Sequence, residues 1–326
     1  MQLSTETNLD ELTAFLSQKG ILETGENIQK IEKPGEGNMN VVIRITTGKR
    51  SLIAKQSKPF VQKYQDIPAP IDRILVEHTF YKTVKNAGVN AHLPKVIGFL
   101  PEHHMLFMDD LGNAEDMSFI YEKREMSDIH LEQLVTIAKG MHQSEIASNY
   151  PKNLELRQLN HQHIFVLPFM EDNGFSLDDV QNGLKAIAQP FVKDETLKEK
   201  VQTLGELYLS MEGGVLLHGD YYPGSWMVKD DHVFVLDPEF SYAGPKEFDL
   251  GVMIAHLFMA TANATYLDEV IHSYNLPVDI QMTKAFAGIE VIRRLIGLAQ
   301  LPLARSLEEK KYLLDKARAW VFNHSQ

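Results

Sequence analysis

The feature that most constrains the fold is a change of pattern near residue 109. From Ile31 to about Met108 the chain runs through short β-like segments, "NVVIRI", "SLIAKQ", "KVIGFL" and "MLFMD". One helical stretch, "APIDRILVEHTFYKTVKNAG", interrupts them; there Ile71, Ile74, Leu75 and His78 recur at helical spacing and Gly88 suits the stop. Beyond Asp109 the pattern is mostly helical, as in "DIHLEQLVTIAKGMHQSE" and "SLEEKKYLLDKARAWVFNH", apart from a β-like island at 214 to 243. This predicts an α+β chain of two lobes. A small β-rich N-lobe spans 1–108 and a larger, mainly helical C-lobe spans 109–326, joined near 105 to 112 around a cleft suited to ligands. Length agrees, since 326 residues exceed one comfortable hydrophobic core.

The flanking segments exclude several classes. The N-terminal "MQLSTETNLDELTAFLSQKG" has no basic region followed by an apolar block, so a secretory signal is not expected. It reads as an amphipathic helix capped by Asn8, with Glu11 three residues on and Gly20 as the stop. The most apolar run, "LGVMIAHLFMATANATYL", is broken by His256 and Asn263 and reads as a buried core helix, not a membrane span. A net charge of -12 argues against nucleic acid or an anionic membrane as the main partner. The absence of cysteine removes disulfides and thiolate ligands and fits a reducing, cytoplasmic setting.

Four pieces of sequence carry chemistry if the cleft gathers them. "GEGNMNVVIRI", residues 35 to 45, is a turn entering a strand, and Gly35 and Gly37 let backbone N–H groups approach a phosphate; a plain hairpin turn is the structural alternative. Lys55 ends an apolar strand, and Glu77 follows on the predicted helix. That pairing is the device by which kinases hold the lysine that contacts ATP, while a surface ion pair is the bland alternative. In "LLHGDYYPGSWMV", His218, Asp220 and Ser225 repeat the H-x-D-x-x-x-x-N spacing of a kinase catalytic loop, with serine for asparagine. Asp220 is expected to take the acceptor's hydroxyl proton and His218 to hold the loop backbone. In "VFVLDPEF", Asp237 and Glu239 lie two apart, so extended chain puts both carboxylates on one face for a hard cation such as magnesium; Pro238 also allows a solvated turn.

The order of these pieces is that of a protein-kinase-like phosphotransferase, and the chain resembles the aminoglycoside phosphotransferase and choline kinase superfamily. Within it the chain is most similar to the 5-methylthioribose kinases. "GEGNMN" is similar to their G-D-G-N-L-N. "HGDYYPGS" followed by "DPEFSYAGPKEFDLG" resembles their H-G-D-x-x-x-G-S and D-P-E-F-x-x-x-G-P-x-x-F-D-I-G. "IRRLIGLAQ" resembles their R-R-x-x-G-L-A. The resemblance runs from about residue 31 to 305 and implies a bilobal protein-kinase-like fold that uses ATP and Mg2+. It implies Asp220 as catalytic base, with Arg293 and Arg294 near the sugar and the phosphoryl group. It implies nucleotide contacts from Gly35, Gly37, Asn38, Asn40, Lys55 and Glu77, with Phe107 and Met108 walling the adenine, and Asp237, Glu239 and Ser225 as metal ligands. Asp249 is expected to fix the catalytic loop. A homodimer is implied by resemblance alone.

The arginines also make sense by themselves, because two adjacent guanidinium groups are costly to bury unless anionic oxygens meet them. The alternative is that one faces the cleft and its neighbour, about 100° away on a helix, pairs elsewhere. The chain departs from the resemblance at Tyr221 and Tyr222, where leucine and histidine are usual, and at Ile67, where tryptophan is usual. Three readings stand: a kinase for a hydroxyl of methylthioribose or a related sugar, a phosphotransferase for an amino-alcohol or aminoglycoside, and a nucleotide-binding pseudokinase.

Overall fold

The strands before residue 109 form because β-branched residues recur between turn-forming ones, and helices are available to cover both faces of the sheet they make. In the computed structural model, which describes residues 1–35, 39–211 and 213–322, five of them make one antiparallel sheet. These are β1 (Ile28–Glu32), β2 (Val41–Thr47), β3 (Ser51–Gln56), β6 (Val96–Leu100) and β7 (Met105–Asp109), in the order β1-β2-β3-β7-β6. Between β3 and β6 a two-stranded ribbon, β4 (Phe60–Val61) and β5 (Tyr64–Pro68), projects from the sheet.

Helix α1 (Leu9–Gln18) covers one face. Its N-cap Asn8 accepts from the amides of Asp10 and Glu11, both at 3.0 Å, a cap worth about 1 kcal/mol. Gly20 beyond its end has φ +70. Leu12 and Leu16 pack with Ile43, Ile45, Ala54 and Phe107 into a core belonging to this face alone.

Helix α2 (Arg73–Thr83) takes the other face and is shorter than predicted. Val84 is extended, and Gly88 lies inside a separate short helix, Ala87–Asn90, so Gly88 is not the stop. The buried stripe is also displaced. Leu75 is 43% exposed, while Arg73, Ile74, Glu77, Phe80 and Tyr81 are buried. An apolar-only periodicity misplaces this helix because its inward face carries two charges for the cleft.

The larger lobe is built on the helices Asp128–His142, Glu195–Ser210, Lys246–Thr261, Ile280–Ile296 and Leu307–Phe322. The Lys246–Thr261 helix is buried from Glu247 to Ala260, as expected of a core helix, and packs along Ile280–Ile296. Among the described residues no helix is long and apolar enough to cross a membrane. The β-like island folds into two small sheets. One joins β8 (Glu115–Asp116), β10 (Trp226–Lys229) and β11 (His232–Val235); the other joins β9 (Val215–Leu217) and β12 (Tyr242–Gly244). The segments 218–225 and 236–241 leave these strands and face the N-terminal sheet.

Candidate active site

Register decides what β3 and β7 offer the cleft. Lys55 pairs with Leu106 and Ile53 with Met108, whereas Ala54 pairs with Phe107. Directly opposed residues share a face, so Lys55 and Met108 lie on one side and Phe107 on the other. Phe107 is therefore not brought to the site; its ring belongs to the core under α1. Met108 is buried in the larger core and does not line the cavity.

Lys55 is 5% exposed. Its Nζ lies 2.7 Å from Glu77 Oε1 and also contacts Asp237 Oδ1. Burial works most strongly against this charge, but Asp237 and Glu77 together hold the ammonium above the usual lysine range. Burial pushes the Glu77 carboxyl up against the pull of Lys55. This is a desolvated pair tying sheet, α2 and the Asp237 turn together, unlike the surface ion pair of the bland reading.

The loop after β9 is fixed through its backbone. Asp249 accepts from the amides of His218 at 2.7 Å and Gly219 at 2.9 Å. His218 Nδ1 accepts from the Asp220 amide at 3.3 Å, which leaves Nε2–H to donate to the Leu236 carbonyl at 2.8 Å. Gly219 has φ +83, and a Cβ there would come within 2.2 Å of the Phe240 carbonyl, so only glycine suits the position. Ser225 Oγ donates to the Asp220 carbonyl at 3.0 Å. Tyr221 is core, its hydroxyl donating to the Leu134 carbonyl at 2.8 Å.

The Asp220 carboxylate itself is left open. Among the described residues no hydrogen-bond donor reaches it; its closest cation is Arg294 Nη2 at 3.7 Å. Burial pushes its pKa up, opposed by Arg294 and Arg293.

Asp237 and Glu239 converge, but not as extended chain. Asp237 is left-handed, φ 63, and Pro238–Phe240 is a tight helical turn, so the two side chains reach the cavity from a turn and not from one face of an extended strand. Glu239 is buried, accepts from Asn40 Nδ2 at 2.9 Å and lies 3.3 Å from Arg73 Nε. Burial raises its pKa to about 8 against the attraction of Arg73. Asn40 Oδ1 in turn accepts from Ser57 at 3.0 Å. The Asp237 side chain is 48% exposed.

Both arginines face the cleft, and one carboxylate serves both. Glu290 Oε2 lies 2.8 Å from Arg293 Nη1, and Glu290 Oε1 lies 2.6 Å from Arg294 Nε. Glu290 also accepts from His256 Nε2 at 3.0 Å, whose Nδ1 accepts from Tyr121 OH at 2.6 Å. Burial lowers the His256 pKa to about 4, so the ring is a neutral link. Arg294 lies over the Tyr222 ring, 4.8 Å from its centroid.

A cavity of about 280 Å³ joins these parts, with Lys55, Asp220, Asp237, Glu239, Arg293 and Arg294 on its wall. Asn40 and Ser225 line it too. Gly35 does not, and Gly37 and Asn38 lie outside the described residues. Sequence reasoning passed over Arg73, Glu290, Asn160 and His163. The first two carried a signal: Arg73 stands four residues before Glu77, and Glu290 three and four before the arginine pair, both helix-neighbour spacings. Asn160 and His163 carried none.

A buried lysine–glutamate pair under a five-stranded sheet, facing an aspartate loop and a carboxylate turn on a helical lobe, defines the class of protein-kinase-like small-molecule phosphotransferases. The chain belongs to the phosphotransferase enzyme family, whose pattern matches residues 30–286. A methylthioribose kinase of Exiguobacterium sibiricum is 27% identical over 88% of this chain and 84% of its own length. Two solved structures share the fold. LicA in complex with AMP superposes with a TM-score of 0.55 at 14% identity, covering 95% of this chain and 98% of LicA. The spectinomycin phosphotransferase APH(9)-Ia, in complex with ADP and spectinomycin, gives 0.54 at 14% identity, covering 97% and 99%. The protein is thus an enzyme, a small-molecule kinase.

Proposed function

We propose that this enzyme transfers the γ-phosphoryl group of ATP, with Mg2+, to a hydroxyl of a neutral sugar-like acceptor, methylthioribose or a close relative. The observation that carries the reading is that Asp220, Lys55 held by the buried Glu77, and the Asp237–Glu239 turn open on one cavity. Asp220 takes the hydroxyl proton, a task suited to a desolvated carboxylate without a hydrogen-bonded partner. Arg293 and Arg294 balance the negative charge that develops on the transferring group. Lys55, steadied by Glu77, meets the nucleotide phosphates.

The residues fit a magnesium ion. Asp237 and Glu239 offer hard oxygens, Ser225 lines the same cavity, and Asp237 keeps lone pairs exposed beyond its contact with Lys55. Among the described residues no group of three or more metal-binding side chains gathers. Two carboxylates suit a cation that completes its shell from phosphate and water. When bound, the ion neutralises phosphate charge.

The cavity's carboxylates also speak to the acceptor. Asp220 faces Arg294, Asp237 contacts Lys55, and Glu239 is paired with Arg73. Each of these three already faces a cation of the protein, which lessens its pull on an ammonium group and disfavours choline-like or aminoglycoside acceptors. The test is to incubate the protein with Mg-ATP and, separately, methylthioribose, ribose, choline, homoserine and an aminoglycoside, identifying products by mass. A phosphorylated methylthioribose is expected. Choline phosphate or a phosphorylated aminoglycoside would move the enzyme to cationic acceptors, and no product with any of them would contradict the reading.

A further inference from the structure

Beyond the catalytic groups, the cavity wall contains polar atoms that the fold leaves without partners. The helix Leu154–His161 runs into a π-helical turn, Gln162–Val166, and contributes Leu159, Asn160 and His163 to the cavity. Single wide turns of this kind re-aim side chains and recur at functional sites. The back of the segment is pinned. Arg157 Nη2 donates to the Leu209 carbonyl at 3.2 Å, and its guanidinium lies 4.1 Å from the Tyr242 ring centroid. His161 packs so closely on Gly205 that a Cβ there would come within 2.6 Å of His161 Nε2. The front is polar and unspent. Asn160 uses Nδ2 for a 3.4 Å bond to Tyr208 OH. Among the described residues, Asn160 Oδ1 and both ring nitrogens of His163 have no hydrogen-bond partner.

We infer that Asn160 and His163, carried into the cavity by the π-helical turn, recognise hydroxyl groups of the acceptor other than the one phosphorylated, and so set acceptor specificity. The inference rests on the proposed kinase function and assigns to this wall the reading of a neutral polyol. A neutral imidazole offers one donor and one acceptor, and an amide oxygen offers an acceptor, which is the complement of neighbouring hydroxyls on a ring. Burial and the nearby Arg293 lower the His163 pKa and so favour the neutral ring. Val61 and Ile67, both in the ribbon, line the same cavity and offer an apolar surface to whatever the ring carries besides hydroxyls. A site that spends buried polar groups on a substrate hydroxyl rejects analogues lacking it far more strongly than an apolar wall can.

The test compares the wild type with His163→Phe, His163→Gln and Asn160→Ala, using methylthioribose and its deoxy analogues lacking the non-phosphorylated ring hydroxyls. His163→Phe and Asn160→Ala should each raise the KM for methylthioribose about tenfold or more and lose discrimination against one deoxy analogue, with the KM for ATP within about twofold. His163→Gln, which keeps a donor and an acceptor, should retain that discrimination. Loss of discrimination in His163→Gln equal to that in His163→Phe would assign the effect to packing and overturn the inference. Unchanged KM and discrimination in both His163→Phe and Asn160→Ala would overturn it as well, while leaving the kinase function standing. No transfer by the wild type would overturn the function and the inference together.

Discussion

Asp220, the proposed general base, shows how a fold can leave one carboxylate free for proton transfer. Its loop spends its backbone on Asp249, His218 and Ser225 and leaves the carboxylate facing the cavity with only Arg294 near it. Burial raises its folded pKa and the two arginines pull it back. Since only the ionised form accepts a proton, kcat should fall as pH drops through that raised value. The acid limb of the kcat profile should therefore lie above the usual aspartate range. Removing a guanidinium removes the pull, so Arg294→Ala should move the limb to higher pH and slow transfer at its plateau. A limb that shifts downward in this variant contradicts the electrostatic assignment. His218 and Asp249 were legible as scaffold from the H-x-D spacing and the "FDLG" segment. Phe107 was misread, because in "MLFMD" both faces of the strand are covered and an apolar run cannot tell one side from the other.

Among elements, the Ile280–Ile296 helix carries the arginines and the carboxylate that orders them on consecutive turns. Glu290 is 1% exposed, and its two arginines hold its carboxyl well below the usual glutamate range although burial opposes this. Its contribution to stability is thus present above the ordinary glutamate pKa and lost as pH falls through the depressed folded value. Glu290→Gln leaves two guanidinium groups short of a counter-charge, and removing one partner of a buried ionic group costs about 3–5 kcal/mol. Urea unfolding at neutral pH should show that loss, accompanied by a fall in kcat; wild-type stability would remove Glu290 from its clamping role. The arginine pair was visible in "IRRLIGLAQ", but its geometry was not. Both side chains reach the cleft because Glu290 gathers them, which only the helical register reveals.

At the scale of the molecule, sheet and helical lobe meet through charge. Lys55 with Asp237, Asn40 with Glu239 and Arg73 with Glu239 all cross the cleft. Arg73 is nearly fully buried and also donates to the carbonyls of Met39 at 2.7 Å, Lys58 at 2.8 Å and Phe60 at 3.3 Å, so one side chain braces the β4–β5 ribbon against Glu239, a proposed magnesium ligand. Arg73→Met should increase hydrogen exchange in the ribbon and weaken Mg-ATP binding more than ATP binding without metal; unchanged exchange would show that the ribbon holds itself. The two-lobed α+β division and the order of lysine, glutamate, aspartate and carboxylate turn could be read along the chain. The wall made by Asn160 and His163 could not, because packing of a π-helical turn decides where those side chains point.

The most direct test of the central claim is single-turnover phosphoryl transfer from Mg-ATP to methylthioribose by wild type and Asp220→Asn, with nucleotide affinity measured on the same preparations. General-base removal predicts a loss of about 10²–10⁴ in the transfer rate with nucleotide affinity nearly unchanged. Transfer by Asp220→Asn at the wild-type rate would contradict it.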